Sequence, residues 1–316
     1  MPITWAGLGE SLVTFTTVFL SIFIEAAPFL MLGTLASGLV EVFFNQGDFS
    51  RLVPRHPLAA ALLGGVLGLA FPVCECGVVP LARRLVRKGL PLSAAIAFLL
   101  AAPVVNPIVI ASTLAAFGPG PILYSRLGLS LLIAVATGAV FAFQSRPERL
   151  LLPASRPVMA GGAPDLHVHL PAASAPAAPL GRRLLRVLAI AVDEFFEMGR
   201  YLVAGGLLAA GMQTVVPQAA LLGLGSGPVV SVLVLIALAV LLSICSTVDA
   251  FIALAFAASF TPGSVLAFLV YGPMVDIKST LMFLGVFQRR AVVYLIVLPL
   301  LMTLLAGLFI NLNVAW

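Results

Sequence analysis

Charge is scarce in this chain. Asp, Glu, Lys and Arg together make up 9% of its 316 residues, whereas 61% are hydrophobic. That composition excludes a water-soluble globule, in agreement with a mean hydropathy of +1.17. Cysteine is scarce as well. The three present, Cys74, Cys76 and Cys245, all lie in apolar segments and form no disulfide framework. The three histidines, His56, His167 and His169, fall in loops, and neither H-E-x-x-H nor G-x-x-x-x-G-K-[ST] occurs. A zinc hydrolase and a nucleotide-hydrolysing motor are therefore poor readings. No Lys or Arg precedes the first apolar run, so 11–44 reads as a retained span and not a signal peptide. The net charge of +5 is no nucleic-acid footprint, because the basic residues are spread over short segments between apolar runs.

What the chain does have is long apolar stretches: roughly 11–44, 57–88, 91–118, 121–144, 183–214, 228–260, 262–287 and 290–312. Runs of this length cross a bilayer as helices, since lipid offers the backbone no hydrogen-bond partner. The expected fold is an all-α polytopic membrane protein of about eight transmembrane helices. Residues 1–145 form one four-span half and 182–316 the other. The Pro-, Ala- and Gly-rich segment 146–181 joins them as a flexible linker. Within it, DLHVH (Asp165–His169) has metal-binding residue types, but composition alone accounts for the segment, and no metal is assigned. Counting loops for eight full spans puts Arg83, Arg84, Arg87, Lys88, Arg146, Arg149, Arg156, Arg182, Arg183 and Arg186 on one face. Arg51, Arg55, Arg126, Arg289 and Arg290 fall on the other. The excess predicts cytoplasmic termini.

The halves resemble each other. FIEAAPFLMLG (23–33) aligns with FFEMGRYLVAG (195–205), PVCECG with SICSTV, and PLSAAIAFLLAAPVVNP with PGSVLAFLVYGPMVDI. These alignments pair Glu25 with Glu197, Cys74 with Cys245 and Asn106 with Asp276. Internal repeats carrying unusual residues at matching positions are a transporter signature. Two sets of four full spans would make the repeats parallel; one re-entrant segment per half would make them inverted.

Proline, glycine and polar residues interrupt four apolar stretches, at Cys74–Gly77, Pro103–Pro107, Cys245–Asp249 and Pro273–Asp276. The first two breaks lie about 14 residues from the turn at Gly89–Pro91, roughly 20 Å along a helix and close to mid-membrane. Broken backbone is tolerated at that depth only against protein or a wet cavity. Ionisable groups share the zone. Glu75, Asp249, Asp276 and Lys278 lie at the breaks, and Glu25 and Glu197 lie deep in their spans. Each costs about 2.5–3.5 kcal/mol at bilayer centre even on a lenient scale, so each implies a function or a partner. The thiols of Cys74, Cys76 and Cys245 would favour a small thiophilic substrate, with another soft metal, a small anion, or a place as membrane subunit of a larger transport complex as the alternatives. Glu75, Asn106, Asp249 and Asp276 are further candidates for substrate binding. Glu25 and Glu197 are expected to exchange protons as the coupling ion. Lys278 and Arg200 are expected to form structural ion pairs, Arg200 with Glu197 by its i,i+3 spacing. No cofactor is expected; the lipid bilayer is the evident partner.

With CECGVVPLARRLVRKGLP (74–91), AAPVVNPIVI (101–110), FIEAAPFL (23–30) and YGPMVDIKST (271–280) in view, the chain resembles the YraQ/ArsP-type permeases of bacteria. The resemblance implies an eight-span inner-membrane permease. By the family's best-understood branch, it also implies export of trivalent organoarsenicals such as methylarsenite without nucleotide hydrolysis, and hence arsenic resistance. Cys74 and Cys76 fall on the family's C-x-C-G and Asn106 on its P-x-x-N-P.

Overall fold

A computed structural model describes residues 5–45, 53–54, 56–71, 73–143, 151, 179–216 and 227–313. These form twelve helices: α1 (Trp5–Phe43), α2 (Pro57–Ala70), α3 (Glu75–Arg87), α4 (Leu92–Ala101), α5 (Pro107–Phe117), α6 (Pro121–Ala142), α7 (Leu180–Val215), α8 (Val230–Leu242), α9 (Asp249–Phe256), α10 (Pro262–Met274), α11 (Ile277–Val286) and α12 (Arg289–Asn313). Four helical stretches are long and apolar enough to cross a membrane: 11–43, 121–142, 262–286 and 289–313. The joining segment 146–181 with its DLHVH lies outside the described residues, except for Leu151 and the start of α7. Leu151 pairs with Phe287 in an isolated antiparallel bridge.

Local chemistry explains the segmentation. Pro57, Pro107, Pro121 and Pro262 stand in the first turn of α2, α5, α6 and α10. There the missing N–H costs nothing and the fixed φ suits a helix. The second apolar stretch splits because Phe71 and Cys74 are extended, and Phe71 precedes a proline, which disfavours helical backbone. The sixth stretch splits where Ser243 adopts a left-handed φ of 47°. Asn106 and Asp276 open α5 and α11 as N-caps, their side chains accepting from the Val109 and Ser279 N–H groups. The two matched positions therefore do the same local job. Each supplies an acceptor to the free N–H groups of a helix that restarts inside the protein.

Close contacts fix the direction of every helix. α1 and α7 are antiparallel: Gly38 abuts Val187, and Gly206 abuts Phe19 and Ile22. α3 runs alongside α1 in the same direction. Gly77 lies on Gly33, Arg84 donates to Ser37, and Lys88 donates to the carbonyls of Glu41 and Phe44. At Gly33 and Gly77 the backbones are so close that a Cβ on either would collide with the other helix. α2 and α4 also run together, Gly64 against Ala94 and Gly68 against Ala102. α2 therefore starts at the end where α3 finishes, and the α2–α3 pair enters and leaves by one end of the molecule. α4 and α5 continue to the far end, and α6 returns, with Gly138 against Ser93 and Ala97.

The second set repeats this plan from the opposite end. α8 and α10 run together, shown by the Ser231–Thr261 hydroxyl contact (2.9 Å) and by Gly272 against Ala239. The α8–α9 pair thus enters and leaves where α10 begins. α11 passes antiparallel to α7, Gly205 on Lys278 and Tyr201 on Gly285. α12 returns beside α10, with the Asn311 side chain on the Gly263 N–H and the Tyr271 hydroxyl donating to the Ile296 carbonyl. α4 is buried along its whole length, and α10 from Gly263 to Met274. Residues such as Leu12, Phe143, Phe196, Leu305 and Phe309 turn outward. An apolar exterior around an apolar, glycine-tight core is what a lipid-facing bundle requires.

Candidate site at the meeting of two hairpin tips

The tips of the two hairpins, around Cys74 and around Ser243–Asp249, come together inside the bundle. Lys278, the second residue of α11, joins them. Its ammonium lies 3.0 Å from Glu75 Oε1 and 3.4 Å from Asp276 Oδ2, and it donates to the Ser243 carbonyl at 2.6 Å. Three elements thus converge on one cation: the start of α3, the start of α11 and the tip of the second hairpin. All three side chains are buried, and Glu75 Oε2 has no hydrogen-bond partner. The expected ion-pair role of Lys278 corresponds to this geometry, with Glu75 as its nearer partner.

Sulfur gathers in the same place. Cys74 and Cys76 flank Glu75 at the first tip, and Cys245 lies within electrostatic reach of Cys74 and Glu75. The Thr247 hydroxyl donates to the Cys245 sulfur at 3.5 Å. All three thiols are free and buried. Among the described residues no three His, Cys, Asp or Glu side chains are arranged to hold a metal ion. Three free thiols thus lie at the two tips without forming a closed ligand cage among the described residues.

A second buried charge pair joins the two halves of the chain. Asp249, the first residue of α9, accepts from Arg126 Nη2 at 2.5 Å, and Arg126 Nη1 donates to the Thr113 hydroxyl at 2.8 Å. Arg126 is 0% exposed. Its expected place in an external loop is corrected: α6 begins at Pro121, so Arg126 lies inside a helix and faces the carboxylate that neutralises it. Asp249 was marked by its depth, whereas nothing in the local sequence marked Arg126 as its partner.

The remaining candidates do not join the tips. Asn106 spends both ends of its amide on backbone, accepting from the Val109 N–H (2.9 Å) and donating to the Ala102 carbonyl (3.1 Å). In this role it caps the start of α5. Glu197 is 36% exposed and pairs with Arg83 at 2.8 Å. Arg200 does not supply the expected tie to Glu197; it is exposed and lies over the Tyr201 ring at 4.9 Å, because Arg83 from α3 reaches Glu197 first. Glu25 is partly buried, and among the described residues it makes no hydrogen bond or ion pair. Sequence reasoning missed Glu194 and Glu41. Both bind Arg84, at 2.9 and 3.1 Å, and Glu41 also meets Lys88 at 3.4 Å. The run RRLVRK was read as an orientation signal; its buried arginines required acidic partners, and these stand on α1 and α7.

With this geometry in place, the chain can be set beside known proteins. A family model described as a predicted permease, ArsP_1, matches residues 11–312. The chain belongs to that family. Among the family's curated relatives, it is 41% identical over 299 residues to UPF0718 protein YcgR of Bacillus subtilis, covering 94% of this chain and 97% of the relative. It is 36% identical over 284 residues to a putative two-component membrane permease complex subunit of Streptococcus mutans, covering 90% of each. No solved structure matches it. Membership of a predicted permease family and several long apolar helices make this a multi-pass membrane protein.

Proposed function

We propose that the protein is a gradient-driven permease whose substrate passes between the tips of two re-entrant hairpins. The observation that carries this reading is their opposed entry: α2–α3 comes from one end of the bundle, α8–α9 from the other, and both tips meet at Lys278. Half-helices ending at mid-membrane around shared polar groups are the usual construction of a secondary-transport site. In this reading the halves 1–145 and 182–316 are inverted repeats. Each has a long helix (α1, α7), a hairpin, a broken crossing (α4–α5, α10–α11) and a final crossing (α6, α12). That gives six crossings and two re-entrant hairpins in place of eight full spans. The paired N-caps Asn106 and Asp276 support the correspondence.

The substrate is a small thiophilic species, bound by Cys74 and Cys76 with Cys245 opposite and with Glu75, Asp249 and Asp276 setting the charge around it. The family resemblance favours a trivalent organoarsenical, and export of it would confer arsenic resistance. Protons are the proposed coupling ion. Glu25, unpaired on α1, is the better carrier than Glu197, which is already paired with Arg83. The test is uptake of methylarsenite into inside-out proteoliposomes with and without an imposed proton gradient. Gradient-dependent uptake lost in Cys74→Ser/Cys76→Ser is expected; uptake unchanged in that variant contradicts the thiol site.

A second reading, a membrane subunit of a larger transport complex, is favoured by the printed name of the Streptococcus relative. Stoichiometric co-purification of a second protein that is required for flux would establish it; flux by the purified chain alone would remove it.

A further inference from the structure

The helix directions sort the basic residues by end, and the result is one-sided. At the end where α3 finishes and α7 and α12 begin stand Arg83, Arg84, Arg87, Lys88, Arg182, Arg183, Arg186, Arg289 and Arg290. In sequence, the segments 44–56 and 143–179, whose flanking helices end there, contain Arg51, Arg55, Arg146, Arg149 and Arg156. The connections at the opposite end, 118–120, 216–229 and 257–261, carry no Lys or Arg, and neither does the sequence before α1 or after α12. Nine of the seventeen basic residues thus stand at one end, five more fall in the segments joining helices that end there, and the other three, Arg126, Arg200 and Lys278, lie further along their helices. Contacts across the bundle show that the basic residues share one end: Arg183 covers the Phe43 ring at the close of α1, and Lys88 donates to the Phe44 carbonyl beside it.

We infer that this basic end is the cytoplasmic face, that the start of α1 and the end of α12 both lie outside, and that the two hairpins are therefore an inner and an outer gate. Lys and Arg in short connections are retained on the cytoplasmic side, and anionic headgroups there attract exposed side chains such as Arg182, Arg186, Arg289 and Arg290. The eight-span count put Arg289 and Arg290 on the wrong face and predicted cytoplasmic termini. Turning the two hairpins back on themselves removes that conflict. The segment 143–179 then joins two helix ends at the cytoplasmic face. The α2–α3 hairpin, with Cys74, Glu75 and Cys76 at its tip, opens toward the cytoplasm. The α8–α9 hairpin, with Cys245 and Asp249, opens to the outside. The assignment of gates rests on the transport reading above; the sidedness does not.

The experiment needs no substrate, so its failure is separable from failure of the transport reading. The full chain is fused after Trp316 either to alkaline phosphatase, which is active only outside, or to green fluorescent protein, which fluoresces only inside. In parallel, Ser259→Cys (the turn between α9 and α10) and Gln288→Cys (between α11 and α12) are labelled in intact cells with a membrane-impermeant maleimide. The native thiols are buried and give the background. Expected are active phosphatase, dark fluorescent protein, and labelling of Ser259→Cys at least tenfold above Gln288→Cys, with Gln288→Cys labelled only after lysis. Fluorescent protein with Gln288→Cys labelled from outside would overturn the orientation. Fluorescent protein with Ser259→Cys labelled from outside would overturn the helix arrangement itself. A cysteine variant that fails to insert leaves the two fusions to decide.

Discussion

The two hairpin tips are built alike and wired differently. Each returning helix opens on a carboxylate, Glu75 for α3 and Asp249 for α9, and each carboxylate meets a buried cation supplied by the other half of the chain. At the second tip the charges balance, one carboxylate to one guanidinium. At the first, two carboxylates, Glu75 and Asp276, share one ammonium. The first tip also has two thiols against one at the second. A planar arginine bridging Asp249 and Thr113 is a fixed brace, whereas a lysine shared among Glu75, Asp276 and the Ser243 carbonyl is a point charge that can be redistributed. On the proposed transport reading the difference is a division of labour: the balanced pair holds the second hairpin to its scaffold, and the unbalanced group with its extra sulfur is the proposed receiver of the substrate.

This comparison breaks most visibly at its cations. Lys278→Met leaves two buried carboxylates unpaired and should cost about 3–5 kcal/mol or more, measured as loss of monodisperse protein and of thermal stability in detergent. Arg126→Leu should cost about 3–5 kcal/mol by the same physics. Here the balanced pair makes a sharper statement: Arg126→Leu/Asp249→Leu should recover most of the loss. Lys278→Met/Glu75→Leu should recover less, because Asp276 remains charged and must still cap α11. Equal recovery of the two double variants would erase the distinction between the tips. Among the thiols, Cys74→Ser/Cys76→Ser should abolish methylarsenite uptake, whereas Cys245→Ser should reduce it several-fold. The reverse order would move the receiving site to the outer tip.

Much of this plan was legible in the chain. Four breaks, the matched positions Asn106 and Asp276 and the deep charges follow from where Pro, Gly and polar residues interrupt apolar runs; that the matched pair caps helices came from the structure. What the sequence did not show was direction. An apolar stretch that crosses the membrane and one that turns back at its middle have the same composition, and only contacts such as Gly33 on Gly77 and Gly64 on Ala94 tell them apart. Partners were hidden for a related reason. Arg126 and Asp249 are 123 residues apart, and no local spacing announces a pair of that separation. The i,i+3 rule did announce Arg200 with Glu197, but tertiary packing delivered Arg83 instead.

Smaller effects sharpen the account at its edges. Asn106→Ala removes the N-cap of α5 and should cost about 1 kcal/mol, seen as a modest fall in melting temperature with substrate affinity unchanged. A large affinity loss would return Asn106 to the substrate site. Glu197→Gln removes a partly exposed partner of Arg83 and should cost no more than about 1 kcal/mol. Glu25→Gln should leave stability intact while flattening the pH dependence of uptake; a variant with the wild-type profile would show that coupling lies elsewhere.

The central claim, that the two tips meet across one transport path, is tested most directly by linking them. In a Cys76→Ser background that retains uptake, a short bifunctional methanethiosulfonate should join Cys74 to Cys245, identified by mass spectrometry of the linked peptides. The account predicts that the linked protein is inactive and regains uptake on reduction. Failure to form the link in folded protein, or full-rate uptake by the linked form, would contradict it.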